Sequence, residues 1–336
     1  MKQLLSLLLA IIFLLTWINL QAQNYRLSSR DRYMTAGAWL GGTNYFGDLA
    51  PEIGRFSTDL RLIGMAGGGL LTQKITANLS ARFTLGVTNI RGDDAISADP
   101  NDASAIFRYA RNLHFRNRII ESSIVMMYDF LKSEGRFWRR KDVSPYVFAG
   151  LGLIYSNPQA RTPEDMGRKW IDLQPLATEG KHYSRTTLIF PLGGGVRFKV
   201  ADRVDVGVEM SLRVSMTNYL DDVSGNYVSP SELRSDLAIR MADKSGELNS
   251  ASGKPRNIAR LNEVFGNFVT ATTPSGQTYQ RLIGYGESNE IRGKSPVDMY
   301  VVTSVYASYV LNIKRYMPKF GGRTGGVIKK SRYSVK

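Results

Sequence analysis

The sequence predicts an all-β fold, an eight-stranded antiparallel transmembrane outer-membrane β-barrel with long extracellular loops. Three observations carry this. First, residues 204–220 alternate with period two: Val204, Val206, Val208, Met210, Leu212, Val214, Met216 and Leu220 share one face, while Asp205, Glu209, Ser211, Arg213, Ser215, Thr217 and Tyr219 share the other. Second, residues 1–22 read as a secretory signal, with Lys2 before an apolar run from Leu4 to Leu15 and Ala22 at the expected cleavage site. Third, the connections between the predicted strands alternate in length. A soluble sandwich has no reason to sort its loops in this way, whereas a barrel with short periplasmic turns and long outward loops does.

The strands follow in order. The first spans Met34 to Phe46, with Met34, Ala36, Ala38 and Leu40 facing one way and Thr35, Trp39, Thr43 and Tyr45 the other. Residues 23–33 precede it as a short periplasmic segment. Leu60 to Leu71 reads as a Gly-rich second strand, joined by a tight turn at 72–74 to a third in which Leu79, Ala81, Phe83, Leu85 and Val87 alternate with polar residues and glycine. A polar loop from Arg91 to about Asn112 leads to a fourth strand, Leu113 to Leu131. The fifth runs from Pro145 to Tyr155 and the sixth from Thr186 to Val200. Ala201-Asp202-Arg203 turns the chain into the seventh strand, 204–220. A loop of residues 221–297 precedes the eighth strand, from about Asp298 to Lys314. The barrel thus occupies residues 34–316 and a basic periplasmic tail residues 317–336.

The chain has no Cys, so neither a lipoprotein anchor nor a disulfide is available, and stability must come from a large core or a closed ladder of hydrogen bonds. Its 32 glycines and 10% aromatic content suit a crowded lumen and aromatic girdles. The net charge of +15 points to outer-membrane lipid, lipopolysaccharide or an acidic protein partner; no nucleic-acid-binding motif accompanies it.

With apolar faces toward lipid, the lumen receives Arg82, Glu121, Asp129, Arg197, Asp205, Glu209 and Arg213. Buried charges of both signs require pairing, so the expected result is an ion-pair plug with no open channel. No catalytic residue, cofactor or metal ligand set is assigned. His114 and His182 are isolated, no Gly-x-Ser-x-Gly motif is present, and Arg91-Gly92-Asp93 is a three-residue match of little specificity. Asp48, Asp93, Asp94, Asp221 and Asp222 lie near outward strand ends and read as solvated loop caps, with a rim cation site as the alternative. In the longest loop, Ser229-Pro230-Ser231-Glu232 reads as the start of a helix reaching about Ala242, and a second helix spans Ile258 to Val269. On the periplasmic side, Arg136, Arg139, Arg140 and Lys141, with Lys319, Arg323, Lys329 and Lys330 of the tail, form a basic surface suited to an acidic partner.

Two segments resemble a known family. Gly41 to Leu49, which includes Gly42, Asn44, Tyr45, Phe46, Gly47 and Asp48, and Thr217 to Ser224, which includes Tyr219, Leu220, Asp221 and Asp222, are similar to the PorG-type outer-membrane barrels of Bacteroidetes. Pro145 to Gly150 resembles the same family's mid-chain strand. The resemblance implies a non-enzymatic component of the type IX secretion system that anchors a periplasmic ring, made of a lipoprotein and its ring partner, to the outer membrane. The long seventh loop and the basic tail depart from a compact member's pattern. A lipid-modifying barrel enzyme and a surface adhesin are the alternatives.

Overall fold

A computed structural model describes residues 32–50, 60–133, 137–295 and 297–311. The signal segment and the basic tail lie outside the described residues. Eight long strands form the barrel: β1 (Met34–Phe46), β2 (Gly64–Lys74), β3 (Leu79–Asp93), β4 (His114–Asp129), β5 (Val143–Tyr155), β8 (Thr186–Ala201), β9 (Val204–Ser215) and β12 (Met299–Leu311). Each pairs antiparallel with its neighbours in the barrel. β1 closes the ring against β12, from Met34 opposite Leu311 to Phe46 opposite Met299. The fold is therefore an all-β, eight-stranded antiparallel closed barrel, and closure leaves none of these strands as a free edge.

Burial alternates along the strands and is inverted relative to a soluble protein. Outward-facing Met65, Ile124, Leu151 and Met210 are 66%, 62%, 57% and 57% exposed, whereas inward-facing Arg82 and Glu121 are 5% and 1% exposed. On β4 the outward apolar stretch runs from Ile120 to Phe130, just past the strand end. Ten residue-to-residue steps at about 3.3 Å each, tilted at roughly 40°, span about 25 Å, the height of a bilayer's apolar band.

Inside, two glycines make room for rings. A Cβ on Gly86 would stand 2.6 Å from Trp39 Cζ2, and one on Gly207 would collide with the Tyr306 ring. Trp39 and Tyr306 fill the space those positions leave open.

The connections alternate as expected, but the boundaries need correction. β2 begins at Gly64, after a 3-10 turn at Leu60–Leu62, and continues to Lys74, so the β2–β3 turn is residues 75–78. β3 continues through Arg91 to Asp93 because its backbone stays paired with β4 up to His114. The loop beyond it holds two short helices, α1 (Asp94–Ser97) and α2 (Ile106–Arg111). β9 stops at Ser215: the Leu220 N–H donates to Asp298 Oδ2 at 2.8 Å and its carbonyl accepts from Asn117 Nδ2 at 2.7 Å. Leu220 is accordingly buried in the mouth of the barrel and does not extend the lipid-facing row.

The long connections after β3, β5 and β9 form a cap. The β5–β8 connection contributes β6 (Pro158–Arg161), laid beside β4, and β7 (Trp170–Asp172). Residues 216–298 contribute α3 (Asp236–Ala242), α4 (Ile258–Phe265) and the hairpin of β10 (Val269–Thr272) and β11 (Thr278–Arg281). α3 begins later than the Ser229-Pro230 signal suggests, because Ser235 supplies the cap: its side chain accepts from the Ala238 N–H at 3.1 Å. Ser229 instead pairs with Ser231 beside a 3-10 turn. α4 ends at Phe265, with β10 following. Ile106, Tyr109, Tyr227, Leu261, Leu282 and Tyr285 form a core of this cap, and buried Arg256 donates to the carbonyls of Tyr109, Ala110, Ser245 and Glu247. Two loops distant in sequence are thereby locked together.

Candidate functional site

The described residues among those singled out from the sequence gather in three places along the barrel axis: the lumen, the mouth beneath the cap, and the turn end.

The lumen is sealed in tiers. At the turn end, Asp129 accepts from Arg197 Nη2 at 2.7 Å and from Lys74 Nζ, and Asp205 pairs with Arg140 Nη2 at 2.8 Å. At mid-height Glu209 binds the Arg82 guanidinium and the Tyr146 hydroxyl, and Arg82 lies 5.3 Å from the Tyr306 ring centroid. Nearer the mouth Glu121 pairs with Arg213 Nε at 3.2 Å and accepts from the Tyr300 hydroxyl at 3.2 Å. All seven charged residues assigned to the lumen thus point inward, and each has an opposite charge. Lys74 joins them unassigned, because its position beside a turn gives no sign of inward orientation.

Arg140 corrects the expectation of a basic periplasmic contact. It is 6% exposed, folded back over the barrel end, where it also donates to the carbonyls of Phe137 and Asp202 at 2.6 and 3.1 Å. Its charge is neutralised by Asp205, so it plugs the barrel and offers nothing to a partner. Arg139 and Lys141 in the same turn are exposed. Arg136, Lys319, Arg323, Lys329 and Lys330 lie outside the described residues.

The mouth unites the two motif segments. The Tyr45 hydroxyl donates to Asp298 Oδ1 at 2.7 Å, the Leu49 N–H donates to Asp221 Oδ2 at 3.3 Å, and Asp48 Oδ1 accepts from the N–H groups of Lys294 and Ser295. A side chain at Gly47 would overlap the Tyr45 hydroxyl, which is what requires glycine there. Tyr219 stacks on Tyr183 with centroids 4.6 Å apart. Gly42, Asn44 and Phe46 lie on β1 and are half-buried. Asp222, in the left-handed region at φ 71°, accepts from Tyr183 at 2.7 Å and from Thr178, and it faces Arg292, which also holds Glu179 at 3.0 Å.

The rim aspartates are therefore not solvated caps. Asp94 is fully buried against Arg111 at 2.8 Å, Asp93 caps α1 through the Ile96 N–H, and Asp221 and Asp222 are each 1% exposed. Their carboxylates accept from loop N–H groups and give buried Arg111 and Arg292 opposite charges. Among the described residues no group of three His, Cys, Asp or Glu side chains is placed to hold a metal ion.

Burial sets the electrostatics of the mouth. It pushes the Asp298 carboxyl up to about 7, and burial together with the neighbouring Asp298 and Asp48 pushes Asp221 well above the ordinary carboxylate range. Because these groups bind protons more tightly folded than unfolded, their contribution is fully present below the ordinary carboxylate value and is lost as pH rises through Asp298's value near 7. Limited proteolysis within residues 216–298 is expected to accelerate between about pH 5 and about pH 8, and Asp298→Asn to flatten that dependence.

Fold and site together define a plugged eight-stranded barrel of the outer-membrane type. The chain belongs to the family described as Domain of unknown function (DUF6089), which matches residues 5–238. No curated protein matches it. Among solved structures it is similar to Neisserial surface protein A (11% identity, 82% of this chain and 96% of that one, TM-score 0.32). It is also similar to a major outer membrane protein from Thermus thermophilus (10%, 83% and 99%, 0.34) and to the attachment invasion locus protein Ail of Yersinia pestis (5%, 83% and 97%, 0.32). At these identities and scores the likeness carries nothing about activity or partners.

Proposed function

We propose that this protein is a non-enzymatic outer-membrane barrel that acts as a scaffold, anchoring the periplasmic ring of a type IX secretion system. The observation that carries the reading is the sealed lumen: a barrel whose interior is filled by ion pairs at three heights conducts nothing, and its use lies in its surfaces. The apolar belt supports an outer-membrane location, and the short connections 75–78 and 202–203, opposite the long loops, support placing the turn end toward the periplasm. The resemblance of the Tyr45–Asp48 and Tyr219–Asp222 segments to PorG-type barrels supports the secretion role, and these segments meet at the mouth, where they hold the cap in place. In this reading the ring lipoprotein and its partner engage exposed Arg139 and Lys141 and the basic tail, without Arg140.

Purification of the tagged full-length chain in mild detergent is expected to recover the ring lipoprotein and its partner. Removing residues 320–336 is expected to reduce that recovery severalfold, about 1 kcal/mol or more of binding. Recovery of the barrel without either ring protein contradicts the scaffold role; equal recovery with and without the tail contradicts only the tail's part in it.

A further inference from the structure

We infer that the outward rim of β3 and β4 is a binding site for the phosphate groups of an outer-leaflet glycolipid, built by Arg91, Arg116 and Arg118. The inference rests on the proposed orientation, with the long loops outside, and deepens it by naming a lipid site. Antiparallel register sets Arg91 opposite Arg116 and Asn89 opposite Arg118, directly above the pair Val87 and Ile120. Arg116 and Arg118 are two residues apart on one face, so their backbone positions are about 7 Å apart along the strand, and Arg91 lies one strand spacing, about 5 Å, to the side. All three are exposed.

These arginines line a groove of about 790 Å³ whose wall, among the described residues, contains no Asp or Glu. Within the fold, Arg116 donates to Gln159 Oε1 at 3.0 Å and stacks on Trp170 at 4.0 Å, and Arg91 donates to the Ile63 carbonyl. These contacts aim the guanidiniums without neutralising them. Three like charges held together are costly until an anion joins them, and guanidinium forks match phosphate oxygens in charge and geometry.

What lies beneath the charges identifies the anion's carrier. Ile120 and Tyr155, register partners at 49% and 44% exposure, form the floor of the groove and begin the apolar belt. A ligand filling the site therefore carries phosphate at the height of the arginines and acyl chains immediately below, which describes a phosphorylated lipid and not a soluble anion. Three guanidiniums on the outward rim suit the several phosphates of an outer-leaflet glycolipid better than the single phosphate of a phospholipid.

The test uses the full chain reconstituted in detergent micelles with diphosphorylated lipid A, with its dephosphorylated form, or with inorganic phosphate alone, reading lipid or phosphate retained per barrel after gel filtration. The wild-type chain is expected to retain the diphosphorylated lipid, and Arg91→Gln/Arg116→Gln/Arg118→Gln to retain about tenfold less. Arg118→Gln alone is expected to show an intermediate loss, and this variant leaves the Trp170 stack untouched. Equal retention by wild type and variants, equal retention of the dephosphorylated lipid, or comparable retention of inorganic phosphate overturns the site. Heat-modifiable migration and liposome partitioning are measured in parallel. Loss of partitioning by the wild type rejects the membrane reading itself, whereas normal partitioning with unchanged lipid retention rejects only the arginine site.

Discussion

Replacing Asp129 by alanine is expected to destabilise the barrel by about 3–5 kcal/mol, read as a shift of the urea midpoint for loss of the heat-modifiable folded form. Asp129 is 1% exposed and holds two cations at once, Lys74 at 2% and Arg197 at 14% side-chain exposure. Its removal leaves both without an ion-pair partner inside a closed lumen, and neither strand can tilt to reach water without breaking its ladder. Adding Lys74→Met to Asp129→Ala is expected to recover part of the loss, since it removes one of the orphaned charges. By contrast, Glu263→Ala, which breaks the exposed Arg260–Glu263 pair of α4, is expected to cost at most about 1 kcal/mol.

Ile124→Arg is the second large effect, expected at about 2–4 kcal/mol against folding into liposomes. Ile124 is 62% exposed on β4, and on a water-facing surface such a change is worth roughly half a kcal/mol or less. The large value is thus specific to a hydrocarbon environment at mid-belt height. Leu248, equally exposed at 62% but in the cap, serves as the control: Leu248→Arg is expected to leave folding unchanged.

The eight strands are legible in the sequence because a barrel repeats one period-two pattern with opposite chemistry on its two faces, and because loop lengths sort by side. Boundaries fail where that pattern continues past its physical cause. The alternation from Val204 carries on to Leu220, yet pairing stops at Ser215, and Leu220 turns into the mouth because Asp298 and Asn117 take its backbone groups. Nothing local to Leu220 reports an aspartate 78 residues later. Arg140 shows the same limit from the other direction: within a run of Arg and Lys it looks like surface charge, and only Asp205 on β9 makes it a plug. The rim aspartates look solvated in the sequence because their partners, Arg111, Arg292 and the N–H groups of the loops, come from elements folded over them. The Ser235 cap is visible in the sequence as Ser followed by an acidic first-turn residue, but the Pro230 signal lies closer to the loop's start. The arginine rim is hidden because Arg91 and Arg116 lie in different strands joined by a long loop and become neighbours only once β3 runs on to Asp93.

The central claim is that the outward apolar residues face lipid, and the absence of natural cysteine makes it directly measurable. Single cysteines at Ile124, Leu151 and Met210, in the chain folded into liposomes, are probed with a charged, membrane-impermeant maleimide before and after denaturation. The account predicts that all three stay unlabelled until the bilayer is dissolved and the barrel unfolded, while a cysteine at Leu248 labels at once. Rapid labelling of the three belt positions in intact liposomes would contradict it.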